Sequence, residues 1–233
     1  HMRKDLHAKP FDEGTLKKLE IFELYTREWL PTFLMSEYET IYIFDFFAGT
    51  GYDKAHKPGS PIRILSEIKK QIGNVFKSKT KLYLIFNEFD KEKYALLKES
   101  CDNYVKSNPE LLRAHSMQLL NYKVVNKDFA ELFQKEISKV KQYPSLVFLD
   151  QNGVKFISDE YFLPLVNSYC TDFLYFVSSS YINRFGNTKE FKHSISIDLK
   201  QLKNKPATWI HRNILDELRK RIPKGNKTRL YPF

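Results

Sequence analysis

The fold of this chain is decided by one stretch, Thr40-Ile41-Tyr42-Ile43-Phe44-Asp45-Phe46-Phe47-Ala48-Gly49-Thr50-Gly51. Residues 40–44 form a short apolar run, which predicts a strand buried on both faces of a sheet. The run leads into an acid, Asp45, and then into a loop containing Gly49 and Gly51. Glycines in such a loop let the backbone approach a ligand closely. A plain tight turn is the competing interpretation.

The same pattern recurs along the chain. Further apolar runs predict strands over 81–86, 122–125, 145–149 and 172–177. Segments with helical spacing separate them, and the predicted helices cover 14–34, Ser60 to Val75, the segments after 90, after Asn108-Pro109 and after 128, 159–168 and 210–222. Ser60 and Asn108 are the predicted N-caps, each followed by proline. This alternation predicts an α/β protein with a Rossmann-like, mostly parallel central sheet and helices on both faces.

Length and composition predict one domain. The chain has 233 residues, of which 42% are apolar, enough for one large core. We assign 1–13 to a cloning remnant (His1-Met2) and an N-terminal arm, and 14–233 to the domain. Residues 228–233 look strand-like and stop abruptly, which suggests that the natural protein continues beyond Phe233.

Several classes of protein are disfavoured. No apolar run approaches the roughly 18 residues of a membrane span, and the charged N-terminus has no secretory pattern. The two cysteines, Cys101 and Cys170, belong to no metal or disulfide pattern. We therefore expect a cytoplasmic protein without a membrane or metal site.

The positive charge is concentrated near the C-terminus. The net charge is +10, and residues 200–229 contain ten Lys/Arg against only Asp216 and Glu217. Such a basic segment predicts a polyanionic partner such as nucleic acid. A solvated, lysine-rich helix face is the alternative, and the composition leaves both open.

Acids follow four of the predicted strands, namely Asp45, Glu88, Asp128 and Asp150. Ligands of open parallel sheets bind at the carboxyl ends of the strands. The dinucleotide fingerprint requires a third glycine where this chain has Lys54, and an acid about 20 residues further on, so NAD is disfavoured. The phosphate loop of ATP- and GTP-binding proteins is absent as well.

S-adenosylmethionine (SAM) fits better, because it has an amino acid end, a ribose and an adenine but no phosphate. An acid at the first strand end pairs with the ammonium, directly or through water. An acid at the second accepts from the ribose hydroxyls, and one at the third accepts from the adenine amino group. Asp45, Glu88 and Asp128 stand in that order.

Three short motifs also carry a family resemblance: Phe47-Ala48-Gly49-Thr50-Gly51, Gly59-Ser60-Pro61 and Phe148-Leu149-Asp150 with Gly153. With Ser180-Tyr181-Ile182-Asn183-Arg184 and Ile210-His211-Arg212, they resemble the bacterial three-Cys-motif partner (TcmP) proteins over roughly residues 14–222. The resemblance implies a class I SAM-dependent methyltransferase-like fold, a partner protein with a three-cysteine motif, and Asp150 near the reacting methyl group. The candidate cofactor-binding residues are Asp45, Phe47, Ala48, Gly49, Gly51, Glu88, Phe89, Asp128 and Phe129.

The end of the fourth strand departs from that family, which has proline directly after the acid. Here Gln151 and Asn152 follow Asp150. Proline would fix the local backbone and present a carbonyl to a target amine, so its loss weakens the case for methyl transfer to an exocyclic amine. Asn152 still carries an oxygen that accepts from an amine. We therefore take Asp150 and Asn152 as the candidate catalytic residues, with a turn of no chemical role as the alternative.

Two functions remain open. The first is a SAM-dependent methyltransferase that acts on or with nucleic acid in a bacterial partner-protein system. The second is a catalytically silent module that binds SAM or a nucleotide and works through a protein complex. A magnesium-dependent nuclease using Asp128 and Asp150 has less support, because these acids follow separate strands.

Overall fold

A computed structural model describes residues 9–150, 158–176 and 206–232. The strands in these ranges are β1 Thr40–Asp45, β2 Lys81–Asn87, β3 Leu120–Val125, β4 Ser145–Asp150 and β5 Thr171–Phe176. The helices are α1 Glu13–Leu34, α2 Ser60–Lys70, α3 Ile72–Ser78, α4 Lys91–Lys106, α5 Pro109–Ser116, α6 Phe129–Gln142, α7 Asp159–Val166 and α8 Ala207–Arg221.

The five strands form one sheet in the order β3-β2-β1-β4-β5, and every neighbouring pair is parallel. The strand order reverses between β1 and β4, which is where Rossmann-like sheets open a crevice for a ligand. Asp45 pairs with Phe148, so Asp150 lies two residues further out on the neighbouring strand. The expected Rossmann-like α/β arrangement is confirmed.

Helices cover both faces because successive strand residues point to opposite sides of the sheet. Ile41 and Ile43 of β1 face a core with side chains from α1 to α5. Tyr42 and Phe44 face a second core, whose ring contacts reach α6 and α7. The strands are apolar at successive positions because neither face of the sheet is exposed to water.

Helix α1 packs against the half of the sheet formed by β4 and β5. Its Phe22 ring stacks on Phe148 of β4 at 3.7 Å between centroids. The Tyr25 hydroxyl donates to the Asp172 carboxylate of β5 at 2.7 Å. Arg27 pairs with the buried carboxylate of Glu67 in α2 at 3.0 Å. These contacts fix the middle of α1 against β4, β5 and α2.

The structure corrects the predicted start and length of the second helix. Gly59, not Ser60, is the N-cap of α2, because the Ser60 hydroxyl donates to Asp45 instead of capping the helix. The helix also ends at Lys70, since Gln71 leaves helical geometry, and Val75 belongs to the separate helix α3.

Of two other local predictions, one is confirmed in position and one is wrong. Asn108 is the N-cap of α5 as predicted, but it makes no side-chain capping bond, because its side-chain oxygen accepts from the Lys69 ammonium at 2.7 Å. The strand-like residues 228–232 form no strand, while Phe233 lies outside the described residues. The Thr228 hydroxyl donates to the Val166 carbonyl at 3.1 Å, so a side chain rather than a backbone ladder anchors this segment.

Within the described ranges, no helix is both long and apolar enough to cross a membrane.

The carboxyl ends of β1, β2 and β3 are joined by Asn87. Its side-chain amide, 2% exposed, donates to the carbonyls of Phe46 at 3.2 Å and Lys127 at 3.0 Å. Its side-chain oxygen accepts from the Lys127 backbone N–H at 3.1 Å. One buried side chain thus satisfies backbone groups from the loops that follow two flanking strands.

We predict that Asn87→Ala lowers the free energy of unfolding by roughly 2–4 kcal/mol, because it leaves buried backbone groups without partners. Urea unfolding followed by circular dichroism measures this. Asn121→Ala is the matched control, since that amide makes one exposed bond to the Gln118 carbonyl, and it should cost less than about 1 kcal/mol. Equal losses in the two variants would contradict the role assigned to Asn87.

Candidate functional site

The glycine loop requires its glycines for two separate reasons. Gly49 and Gly51 have φ angles of 71° and 90°, in the left-handed region that disfavours other residues. A Cβ atom on Gly51 would also lie 2.7 Å from the Ser100 Cβ of α4. The Ser100 hydroxyl donates to the Thr50 carbonyl at 3.1 Å. Helix α4 therefore packs against the loop and fixes its backbone conformation.

The segment after the glycines is organised around the carboxylate of Asp53, which is 5% exposed. It accepts from the backbone N–H groups of Phe11, Ala55 and Lys57 at 2.7–2.9 Å. Burial raises the pKa of Asp53, but these donors outweigh it and hold the pKa below its usual range. The arm before α1 is thereby attached to the loop that follows β1.

Asp45 lies at the end of β1 and is fully buried. Its carboxylate accepts from the Ser60 hydroxyl and from the Phe47 backbone N–H. Burial, together with the charges of Asp150 and Glu88, raises the pKa of Asp45 to about 7 in spite of these two hydrogen bonds. This carboxylate therefore stabilises the loop through its hydrogen bonds and is not exposed to solvent.

Glu88 follows β2 and is partly exposed. Its two carboxylate oxygens accept from the backbone N–H groups of Gly49 at 3.1 Å and Asp90 at 2.9 Å. Each carboxylate oxygen has a second acceptor site, so Glu88 remains able to accept from a ligand. The neighbouring Phe89 ring is 58% exposed, and Asn126 donates to the carbonyls of both residues at 2.8 and 2.7 Å.

Asp128 is the N-cap of α6, and its carboxylate accepts from the N–H groups of Ala130 and Glu131. The next residue, Phe129, packs its ring 5.1 Å from that of Phe47 in the glycine loop. The structure therefore brings the third strand end against the first. Ala48 completes the loop, with its N–H donating to the Asn87 carbonyl at 2.8 Å.

Asp150 ends β4, and its carboxylate is paired with a residue from the other end of the chain. The Lys18 ammonium of α1 donates to it at 2.8 Å, with the side chains 32% and 22% exposed. The same ammonium lies 5.8 Å from the centre of the Phe176 ring. The second candidate catalytic residue, Asn152, lies outside the described residues.

The described strand-end acids Asp45, Glu88 and Asp150 thus lie at one edge of the sheet, where the charges of Asp150 and Glu88 both raise the pKa of Asp45. In the described part of the chain, no three His, Cys, Asp or Glu side chains are grouped to hold a metal ion. The sequence predicts Ser60 only as a helix cap and as part of a motif, whereas it bonds to Asp45. Four other side chains that build the site are not predicted by the sequence, namely Lys18, Asn87, Ser100 and Asn126. No local motif marks them, because their partners are distant in the chain.

The C-terminal basic segment is described from Pro206 to Arg229, and residues 200–205 lie outside the described ranges. Arg219 pairs with Asp216 and donates to the Leu230 carbonyl. Arg221 reaches Asp159 of α7 at 3.3 Å. Lys224 and Lys227 are exposed. Part of the positive charge therefore serves local structure, and part faces solvent.

Comparison of the chain with protein-family models, with curated proteins and with solved structures finds no match.

We predict that Asp45→Asn stabilises the protein at high pH relative to the wild type. Asp45 has a folded-state pKa of about 7 and an ordinary value of 3.8, so folding favours its protonated form. Its contribution to stability is greatest below about pH 4, falls as the pH rises and is constant above about pH 7. The neutral amide does not titrate, so the variant's advantage should grow by roughly 4 kcal/mol between pH 4 and 8.

Urea unfolding of both proteins across this pH range measures the difference. Asp53→Asn is the control of opposite sign: since the pKa of Asp53 is lowered, that carboxylate stabilises at neutral pH and the contribution is lost on acidification. An Asp45→Asn advantage that does not change with pH would show that burial does not control this carboxylate.

Proposed function

We propose that this protein binds SAM at the carboxyl edge of the sheet and acts as a SAM-dependent methyltransferase. One observation carries the proposal. A glycine loop with two left-handed glycines at the end of β1 contacts Glu88 at the end of β2, beside the reversal of strand order. This is the place and the residue order that a ligand with an amino acid end, a ribose and an adenine requires.

The charge of the edge favours SAM over a phosphate-bearing cofactor. Glu88 and Asp150 lie at the ends of the strands on either side of β1, and their charges act on the buried Asp45. Carboxylates repel phosphate groups while attracting an ammonium or a sulfonium. Helix α2 begins only at Ser60. Its N-terminus therefore does not directly follow the glycines, as it does in dinucleotide-binding loops.

Each part of the ligand has a chemical counterpart in the chain. Glu88 accepts from the two ribose hydroxyls with its remaining acceptor sites. The exposed ring of Phe89 offers an apolar face for the adenine, and Asp128 accepts from the adenine amino group. Gly49, beside Glu88, lets the methionine part lie against the backbone, while Gly51 lets α4 pack closely on the other side of the loop.

The chemistry supplied by bound SAM is an electrophilic methyl group on its sulfonium. The residues of this chain position the acceptor. In this proposal Asp150 accepts a hydrogen bond from the acceptor's N–H or O–H and orients its lone pair toward the methyl carbon. Asp150 would take up the acceptor's proton, directly or through water, when the methyl group supplied by SAM is transferred to the acceptor.

The proposed methyl acceptor is nucleic acid, or a substrate bound to it. Support comes from the net charge of +10 and from Lys224 and Lys227, which follow α8 in the chain and are exposed. Cations of this kind contact the phosphate backbone and position a substrate without reading its sequence. The resemblance to TcmP proteins adds a protein partner in a bacterial two-component system to the proposal.

A second candidate function is a catalytically silent SAM- or nucleotide-binding module. The ion pair between Lys18 and Asp150 favours it, because the candidate catalytic carboxylate already has a partner. Under this alternative Asp150→Ala leaves biological activity intact, whereas Glu88→Ala or removal of the C-terminal basic segment abolishes it. Loss of activity in Asp150→Ala with unchanged SAM affinity would instead favour the methyltransferase.

We predict that calorimetric titration detects binding of SAM and S-adenosylhomocysteine, and that Glu88→Gln weakens both at least about tenfold, since a charged acceptor for the ribose is lost. Glu92→Gln removes the same charge from an exposed position in the first turn of α4 and should leave the affinity unchanged. Absence of binding by the wild-type protein at millimolar ligand would reject the proposed function.

We predict that the wild-type protein binds a fluorescent oligonucleotide, and that Lys224→Glu with Lys227→Glu weakens binding at least about tenfold. The plot of log affinity against log salt should become shallower by about 2, because each phosphate contact releases counterions. Fluorescence anisotropy at several salt concentrations measures both quantities. Lys77→Glu with Lys81→Glu makes the same charge change at exposed positions at the end of α3 and the start of β2, and equal effects of the two pairs would contradict a specific role of Lys224 and Lys227.

A further inference from the structure

Lys18 occupies an unusual position for a surface lysine. It lies in the second turn of α1, yet its ammonium reaches the carboxyl end of β4 and contacts Asp150 at 2.8 Å. Its neighbour Lys17 pairs instead with Glu13 on the solvent side of the same helix, with both side chains more than two-thirds exposed. Helical spacing thus directs one of two adjacent lysines to the crevice and the other to water.

The position of Lys18 is fixed by the packing of its helix. Phe22 lies one turn later on the same face, and its ring stacks on Phe148 of β4. Tyr25, on the same face, bonds to Asp172 of β5. The ion pair of Arg27 with the buried carboxylate of Glu67 holds the helix to α2. Lys18 is therefore presented at the crevice by a helix that is held at three points along its length.

The present partner of Lys18 is exchangeable. The side chains of this ion pair are 32% and 22% exposed, so a ligand carboxylate that reaches the ammonium replaces one charge-assisted hydrogen bond by another of the same kind. The Phe176 ring, 5.8 Å from the ammonium, would continue to favour a cation at this place after Asp150 had moved away. Exchanging one carboxylate for another at this ammonium costs little.

The strand ends on either side of β1 are acidic. The charges of Asp150 and Glu88 both act on the buried Asp45, so a ligand between these strand ends would have its ammonium attracted and its carboxylate repelled. The amino acid end of SAM carries both groups. A cation is required on one side of this crevice if the whole zwitterion is to bind.

We propose that Lys18 binds the carboxylate of the amino acid end of SAM and in doing so exchanges its ion pair with Asp150 for one with the ligand. The inference rests on the proposed function and adds to it the residue that recognises the carboxylate. It also links ligand binding to the candidate catalytic residue, because Asp150 is released for the methyl acceptor when the donor has bound.

The experiment compares two ligands that differ only at the carboxylate, SAM and decarboxylated SAM, by calorimetric titration. For the wild-type protein we expect SAM to bind about 10- to 100-fold more tightly, the range for a charge-assisted hydrogen bond. Lys18→Met should lose the preference for SAM and bind decarboxylated SAM at least as tightly, because the cation is gone and the remaining acids repel the ligand carboxylate. Lys17→Met, the matched control, should discriminate like the wild type.

Lys18→Arg retains a cation and should restore most of the preference for SAM. Thermal unfolding of each variant shows whether the protein remains folded, and ligand discrimination within one variant is independent of small changes in stability. If Lys18→Met keeps the full preference for the carboxylate, the inference is wrong while the proposed function stands. If the wild type binds neither ligand, both are wrong.

Discussion

At the end of β2, the amide of Asn87 donates to the carbonyls of Phe46 and Lys127 and accepts from the Lys127 N–H. Parallel strands leave their carboxyl ends side by side, but no ladder continues into the loops that follow. Backbone groups in these loops would be buried without partners, which costs about 1–3 kcal/mol each. Asn87 satisfies them with one side chain, and the glycine loop, Glu88 and Asp128 take their positions from the framework it holds.

Charge is the second constraint on this edge. The structure buries Asp45 completely and raises its pKa to about 7, although Ser60 and Phe47 donate hydrogen bonds to it. A carboxylate in such a position destabilises the fold once it ionises. Buried groups of this kind cluster at functional sites, which agrees with a role for this edge in binding a cationic ligand.

The first residues of the described chain connect the two sides of the candidate site. The Phe11 N–H donates to Asp53 in the loop after β1, while Lys18 pairs with Asp150 at the end of β4. The N-terminal segment therefore spans the reversal of strand order between β1 and β4. In the proposed function, the loop after β1 and the catalytic carboxylate Asp150 are connected through the N-terminal segment and α1 as well as through the sheet.

The sequence by itself determined the strands, the Rossmann-like class and the meeting of the strand-end acids, because burial on both faces and helical spacing are local signals. The same signals misjudged the cap at Ser60 and the continuity of its helix, since Asp45 takes the serine hydroxyl. Tertiary structure alone decided that Asp45 is buried, that Ser100 lies against Gly51, and that Lys18 holds Asp150. Ser100 and Thr50 are 50 residues apart in the sequence, and Lys18 and Asp150 are 132 apart. Such residues come together only when the helices pack on the sheet, so no local sequence pattern predicts their contact.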